Sequence, residues 1–106
     1  MDMFKMMGKM KEVQSKLKEA QDDLVNVTAT GEAGAGMVIA EVNGKKQVIK
    51  LAIDNDIVKV EDKEMMQDLI IAAINKALEE VEGKAQESLK SSTQGLLPNI
   101  PGMKFD

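Results

Sequence analysis

The feature that most constrains this 106-residue chain is a change of apolar period made twice along its length. Met3, Met6, Met10, Val13, Leu17, Ala20, Leu24 and Val27 are spaced alternately three and four apart. That is the a/d seam along which helices bury a narrow stripe. Val25 to Thr30 then alternates apolar and polar with period two, which predicts a strand. From Asp62 the helical period returns in Met66, Leu69, Ile70, Ala73, Ile74, Ala77, Leu78, Val81 and Leu89. Helix, strands, then helix is an α+β order.

The boundaries follow from local chemistry. The first helix spans about 2–24, with Val27 better placed in the next strand, and is roughly 34 Å long. The sheet spans about 25–54. Gly31 to Gly36 reads as a glycine-rich connection to a second strand, Met37–Val42. Asn43-Gly44 is the strongest short hairpin signal, since a type I′ turn needs positive φ at both central residues. The third strand runs from Lys46 to Ile53 and ends at Asp54-Asn55-Asp56. Short links imply an antiparallel meander. Asp62 is placed to cap a second helix over about 62–93, near 45 Å long, with Gly83 as a weak point inside it and Gly95 as its C-terminal cap. Residues 95–106 form an irregular apolar tail, because Pro98 and Pro101 forbid a helix. The whole chain, 1–106, reads as a single domain.

Both helices outrun strands of roughly 23 Å, and an overhanging apolar stripe stays wet unless a second chain covers it. The strands are apolar on both faces: Val38, Ala40 and Val42 against Met37 and Ile39, then Ile49, Leu51 and Ile53 against Val48 and Ala52. A two-fold homodimer is expected, with Met6, Met10, Val13, Leu17, Met37, Ile39, Ile49 and Leu51 at its interface. The alternative is a compact monomer with both helices folded over the sheet.

The inventory argues against an enzyme. Cysteine, histidine, tyrosine, tryptophan and arginine are all absent. No disulfide framework, thiolate nucleophile or histidine base is possible. Gly31 to Gly36 spaces its glycines like a P-loop but is followed by Met37-Val38 and a strand, without the phosphate-binding lysine. Asp54-Asn55-Asp56 begins like a calcium loop, yet Val58 and Lys59 stand where an oxygen ligand and a glycine are required. Asp22/Asp23 and Glu79/Glu80 are adjacent, and adjacent helical positions do not share a face. Ser88, Ser91, Ser92 and Thr93 have no histidine to activate them, and Lys90 alone is weak support. No cofactor and no metal are expected. The start of the chain lacks signal-peptide character and no 18-residue apolar run exists, so a cytoplasmic protein without a membrane partner is expected.

Charge is the informative quantity. Net charge is −4, yet residues 1–18 hold five lysines against two carboxylates, and the remainder nine against sixteen. On the heptad, Lys9 and Lys16 take g positions and Lys11 and Lys18 take b positions, straddling the seam. The plain reading is a solvated face with Glu12–Lys16 and Lys18–Asp22 as i,i+4 pairs; the functional one is a set of phosphate contacts. Without arginine no bidentate reader of guanine exists. With only Phe4 and Phe105 there is no stacking platform. Binding would be to duplex, mainly through phosphates, with little sequence selectivity.

Gly31-Glu32-Ala33-Gly34-Ala35-Gly36-Met37-Val38, Asn43-Gly44, Asp62-Lys63-Glu64-Met65-Met66-Gln67-Asp68-Leu69, Ala73-Ile74-Asn75-Lys76-Ala77 and the closing Leu97-Pro98-Asn99-Ile100-Pro101-Gly102 resemble the YbaB/EbfC family of bacterial nucleoid-associated proteins. The Met- and Lys-rich opening helix is similar too, so the resemblance spans nearly the whole chain. It implies a long helix, a three-stranded antiparallel sheet and a long helix, intertwined as a homodimer with projecting helical arms. It also implies double-stranded DNA as partner, altered DNA conformation, and a part in nucleoid organisation and gene regulation. The expected DNA contacts are Lys5, Lys9, Lys11, Lys16 and Lys18, with Lys84 and Lys90 as second choices. The competing expectation is a dimeric adaptor that grips another protein through its Met-rich arms. A further alternative is an enzyme subunit with no active site of its own.

Overall fold

The computed structural model describes residues 3–93. The expected tail and the Gly95 cap lie outside the described residues. The chain runs α1 (Met3–Asp22), β1 (Thr28–Ala33), β2 (Val38–Asn43), β3 (Val48–Ile53) and α2 (Lys63–Thr93). The three strands form one antiparallel sheet in the order β1-β2-β3. The expected helix, sheet and helix are all present.

The boundaries differ from the expectation in instructive ways. α1 tightens at Asp23–Asn26 into a 3-10 turn, so β1 starts at Thr28 rather than Val25. Gly31, Glu32 and Ala33 are strand, not connection: they pair with Ala40, Ile39 and Val38. The turn is confined to Gly34–Met37, where Gly34, Ala35 and Gly36 take positive φ in succession. The β2–β3 hairpin is also real, but it is not type I′. Lys46, at φ +62, takes the left-handed position. Asn43 O accepts from Lys46 N at 2.9 Å and Asn43 N donates to Gln47 O at 3.0 Å, closing a three-residue loop. Asp62 belongs to a short 3-10 turn, Val60–Asp62, that runs straight into α2. Asp54 ends β3 as expected, its Oδ1 accepting from Asp56 N at 2.8 Å.

α2 lies on one face of the sheet because small residues let backbone meet backbone. A Cβ at Gly31 would overlap Ala73 O and Ala77 N. Leu69 packs beside Gly34 at one end of β1, and Lys84 Nζ reaches Thr28 O at the other. α2 therefore runs antiparallel to β1. The buried core beneath it is Ala29, Ala33, Val38, Ala40, Val42, Ile57, Ala73, Ala77 and Val81. Its apolar face matches the expected one.

A second close approach ties α1 to the sheet. Gly44 N donates to Leu24 O at 2.9 Å and to Val27 O at 2.7 Å. A Cβ there would sit 2.6 Å from Leu24 O. Gly44 is thus fixed by the path of α1, not by turn chirality. Beside it Asn43, only 2% exposed, accepts at Oδ1 from Lys45 N (2.9 Å) and Gln47 N (3.1 Å) and donates from Nδ2 to Gln47 Oε1 (2.8 Å).

Two substitutions test this packing by denaturant unfolding. Gly31→Ala forces α2 off the sheet and is expected to cost about 2 kcal/mol or more. Asn43→Ala removes the three side-chain hydrogen bonds that close the hairpin loop, whose partners on Lys45 and Gln47 are exposed to water, and is expected to cost about 1 kcal/mol.

Candidate nucleic-acid interface

α1 is an arm. Ala20 is its one buried residue, with Val13 half-buried. Met3, Phe4, Met6, Met7 and Met10 are between 47% and 82% exposed. The molecule is correspondingly elongated, 71 × 25 × 16 Å. Since α2 runs outward beyond Lys84 and α1 runs inward to the start of β1, the two helices lie antiparallel where they meet.

Lys5, Lys9, Lys11, Lys16 and Lys18 are all exposed on this arm. At about 100° per residue, Lys5, Lys9 and Lys16 share one flank of the apolar seam, and Lys11 and Lys18 share the other. Lys16 pairs with Glu19 at 3.9 Å, in an i,i+3 contact rather than the expected one with Glu12. Such an exposed pair contributes about 0–1 kcal/mol, so the lysine remains available. The charge order also opposes the helix dipole. Lys5 stands near the positive N-terminal end, no acid occupies the first turn and no base the last, while Glu19 and Asp22 stand near the negative end. Local helix stability does not account for a lysine at the start of α1 and carboxylates at its end.

The second choices fall elsewhere. Lys84 is drawn against the sheet, its Nζ donating to Thr28 O at 3.1 Å. Lys90 lies in the last turns of α2, where a cation suits the dipole. Lys76, which the sequence reading did not single out, donates to Glu32 O at 3.2 Å. Nothing in the sequence pattern could have found that contact, because it depends on the direction of α2 across β1.

The expected interface residues are split between arm and sheet. On the arm, Met6, Met10 and Leu17 are 47%, 60% and 36% exposed. On the sheet, Ile39, Ile49 and Leu51 are 39–49% exposed, whereas Met37 is half-buried against the core. Among the described residues β3 is left uncovered: Val48 and Leu51 lie opposite Val42 and Ala40, yet α2 shelters only β1 and β2. A register shift between Glu41 and Val42 leaves Ile49 as the extra residue of β3.

Among the described residues no group of His, Cys, Asp or Glu is arranged to hold a metal, and no helix is long and apolar enough to cross a membrane. An open cleft of about 600 Å³ is lined by Thr30, Gly31, Glu32, Lys76, Glu79 and Glu80.

A basic helical arm on a small α+β body narrows the class, and comparison with known proteins defines it. Residues 1–96 match the model of the YbaB/EbfC DNA-binding family. A nucleoid-associated protein of Bartonella bacilliformis is 40% identical over 104 residues, covering 98% of this chain and 95% of that one. Another, from Agrobacterium fabrum, is 42% identical over 104 residues, covering 98% and 96%. The crystal structure of an uncharacterized Helicobacter pylori protein, HP0035, superposes with a TM-score of 0.71 at 26% identity, covering 90% of this chain and 99% of that one. The chain belongs to the YbaB/EbfC family.

The exposure of the arm has a measurable consequence. In dilute protein, the amides of residues 6–12 should exchange with solvent orders of magnitude faster than those of β2, because local opening there disrupts no buried contact. Hydrogen-exchange mass spectrometry checks this.

Proposed function

We propose that this protein is a nucleoid-associated, non-enzymatic DNA binder that works as a homodimer. One observation carries the reading: five exposed lysines stand on a helix that buries only Ala20, with charges set against that helix's own dipole. Family membership and the names of its relatives support the same partner. In this reading Lys5, Lys9, Lys11, Lys16 and Lys18 contact duplex phosphates, with Lys90 behind them and Lys84 able to join only by leaving Thr28 O. Lacking arginine, the arms read little sequence. Bending or bridging of the duplex follows from arms that hold it at more than one point. Nucleoid organisation, and through it gene regulation, is the corresponding role, in the bacterial cytoplasm.

The dimer rests on the poverty of the single-chain core. Five of its nine apolar members are alanine, each burying little area. Large apolar groups such as Ile39, Val48, Ile49, Leu51, Met6 and Met10 lie outside it. At about 25 cal/mol per Å², covering β3 and the seam with a second copy gains what one chain forgoes.

The exposed methionines also favour a second reading, an adaptor clasping another protein through its arms. Salt separates the two. Duplex affinity should fall steeply as salt rises, by about a thousand-fold between 50 and 200 mM for six or more phosphate contacts; an apolar clasp should hold or strengthen. Reversing Lys9, Lys11 and Lys16 to Glu is expected to abolish duplex binding while leaving the molar mass at twice 11.6 kDa. An unchanged gel shift would refute the arm assignment.

A further inference from the structure

A three-stranded sheet has two edges, and here they are treated differently. On the β1 edge, Lys76 Nζ donates to Glu32 O at 3.2 Å and Lys84 Nζ donates to Thr28 O at 3.1 Å. The spacings match. Lys76 and Lys84 are eight helical positions apart, about 12 Å; Thr28 and Glu32 are four strand positions apart, about 13 Å. Because α2 runs antiparallel to β1, both contacts form at once. In an antiparallel strand alternate residues turn their backbone groups to the same side. Thr28, Thr30 and Glu32 therefore all present theirs to the free edge. Glu80, midway between the two lysines on α2, lines the cleft beside Thr30. The outward row of β1 thus faces a charged row, Lys84, Glu80 and Lys76.

We propose that Lys76 and Lys84 are edge guards: they occupy the outward carbonyls of β1 so that no second strand can pair there. An unpaired edge is a template for another chain, and lysine is the side chain best suited to blunt it, since an incoming strand must displace and desolvate its ammonium group. Among the described residues β3 has no such device. Its residues 48–52 are exposed, and Lys76 and Lys84 are both engaged on β1 instead. Association is thereby steered away from β1 and toward β3. The two-copy reading supplies only that last step; the guarding of β1 stands apart from it. For a protein concentrated along a duplex, a guarded edge keeps the assembly discrete.

The test removes the donors and keeps the aliphatic stems. The full chain carrying Lys76→Met and Lys84→Met is compared with wild type by light scattering over a wide concentration range, and by duplex gel shift. The double variant is expected to gain mass with concentration to at least twice the wild-type value. Lys76→Arg with Lys84→Arg, which retains donors, should stay at the wild-type mass. Adding Thr30→Pro to the methionine variant removes the outward N–H between the two contacts and should restore the wild-type mass. A methionine variant that stays at the wild-type mass overturns the proposal, and so does one whose excess mass survives Thr30→Pro. If the double variant fails to fold, Lys84→Met alone carries the same comparison. A wild type running as a single copy would sink the two-copy reading and leave this comparison intact.

Discussion

The close passage of α2 over Gly31 is the contact on which the rest depends. With no side chain at Gly31, the backbone of Ala73 and Ala77 comes down onto β1. That contact fixes the height of the helix above the sheet and places Leu69 at Gly34 and Val81 in the core. It also sets the phase that brings Lys76 and Lys84 to the strand edge. A larger residue would raise the helix, and every one of these contacts would lengthen together.

The same closeness has a cost. A helix this near a strand can be accommodated only over small side chains, so the core between them is alanine and valine with a single isoleucine. Small side chains bury little area, and hydrophobic stabilisation scales with area. The larger apolar groups are left on β3, on the uncovered face and along α1. Tight helix–strand packing and the surplus of exposed apolar surface are therefore one fact seen from two sides, and that surplus supports the proposed second copy.

α1 obeys a different logic. Gly44 and Ala20 hold its inner end, and beyond Val13 it leaves the body. Lys5 at its start and Glu19 and Asp22 at its end are set against the dipole, which a helix selected for its own stability would avoid. Departures of this kind from local preference concentrate at functional surfaces, which is the physical support for reading the arm as the binding element.

Much was legible in the sequence because apolar period is a local property. The 3–4 spacing of α1, the alternation of the strands and the apolar face of α2 each arise from side-chain geometry within one element, and each was found. The basic opening segment was equally plain, since charge requires no fold to be counted. What the sequence left open involved contacts between elements. Gly31 read as part of a loop because its partners, Ala73 and Ala77, lie more than forty positions away. Gly44 read as a turn glycine because its neighbour, Leu24, belongs to another element. Lys84 read as a second-choice DNA contact and Lys76 carried no role, because only the antiparallel run of α2 across β1 brings them to Thr28 and Glu32. The sequence alone determined which segments are helix and strand and where positive charge gathers, because those follow from neighbours along the chain. Only the tertiary structure decided which glycines are contacts, which lysines are engaged and which edge of the sheet they meet, because those depend on the distance and direction between elements.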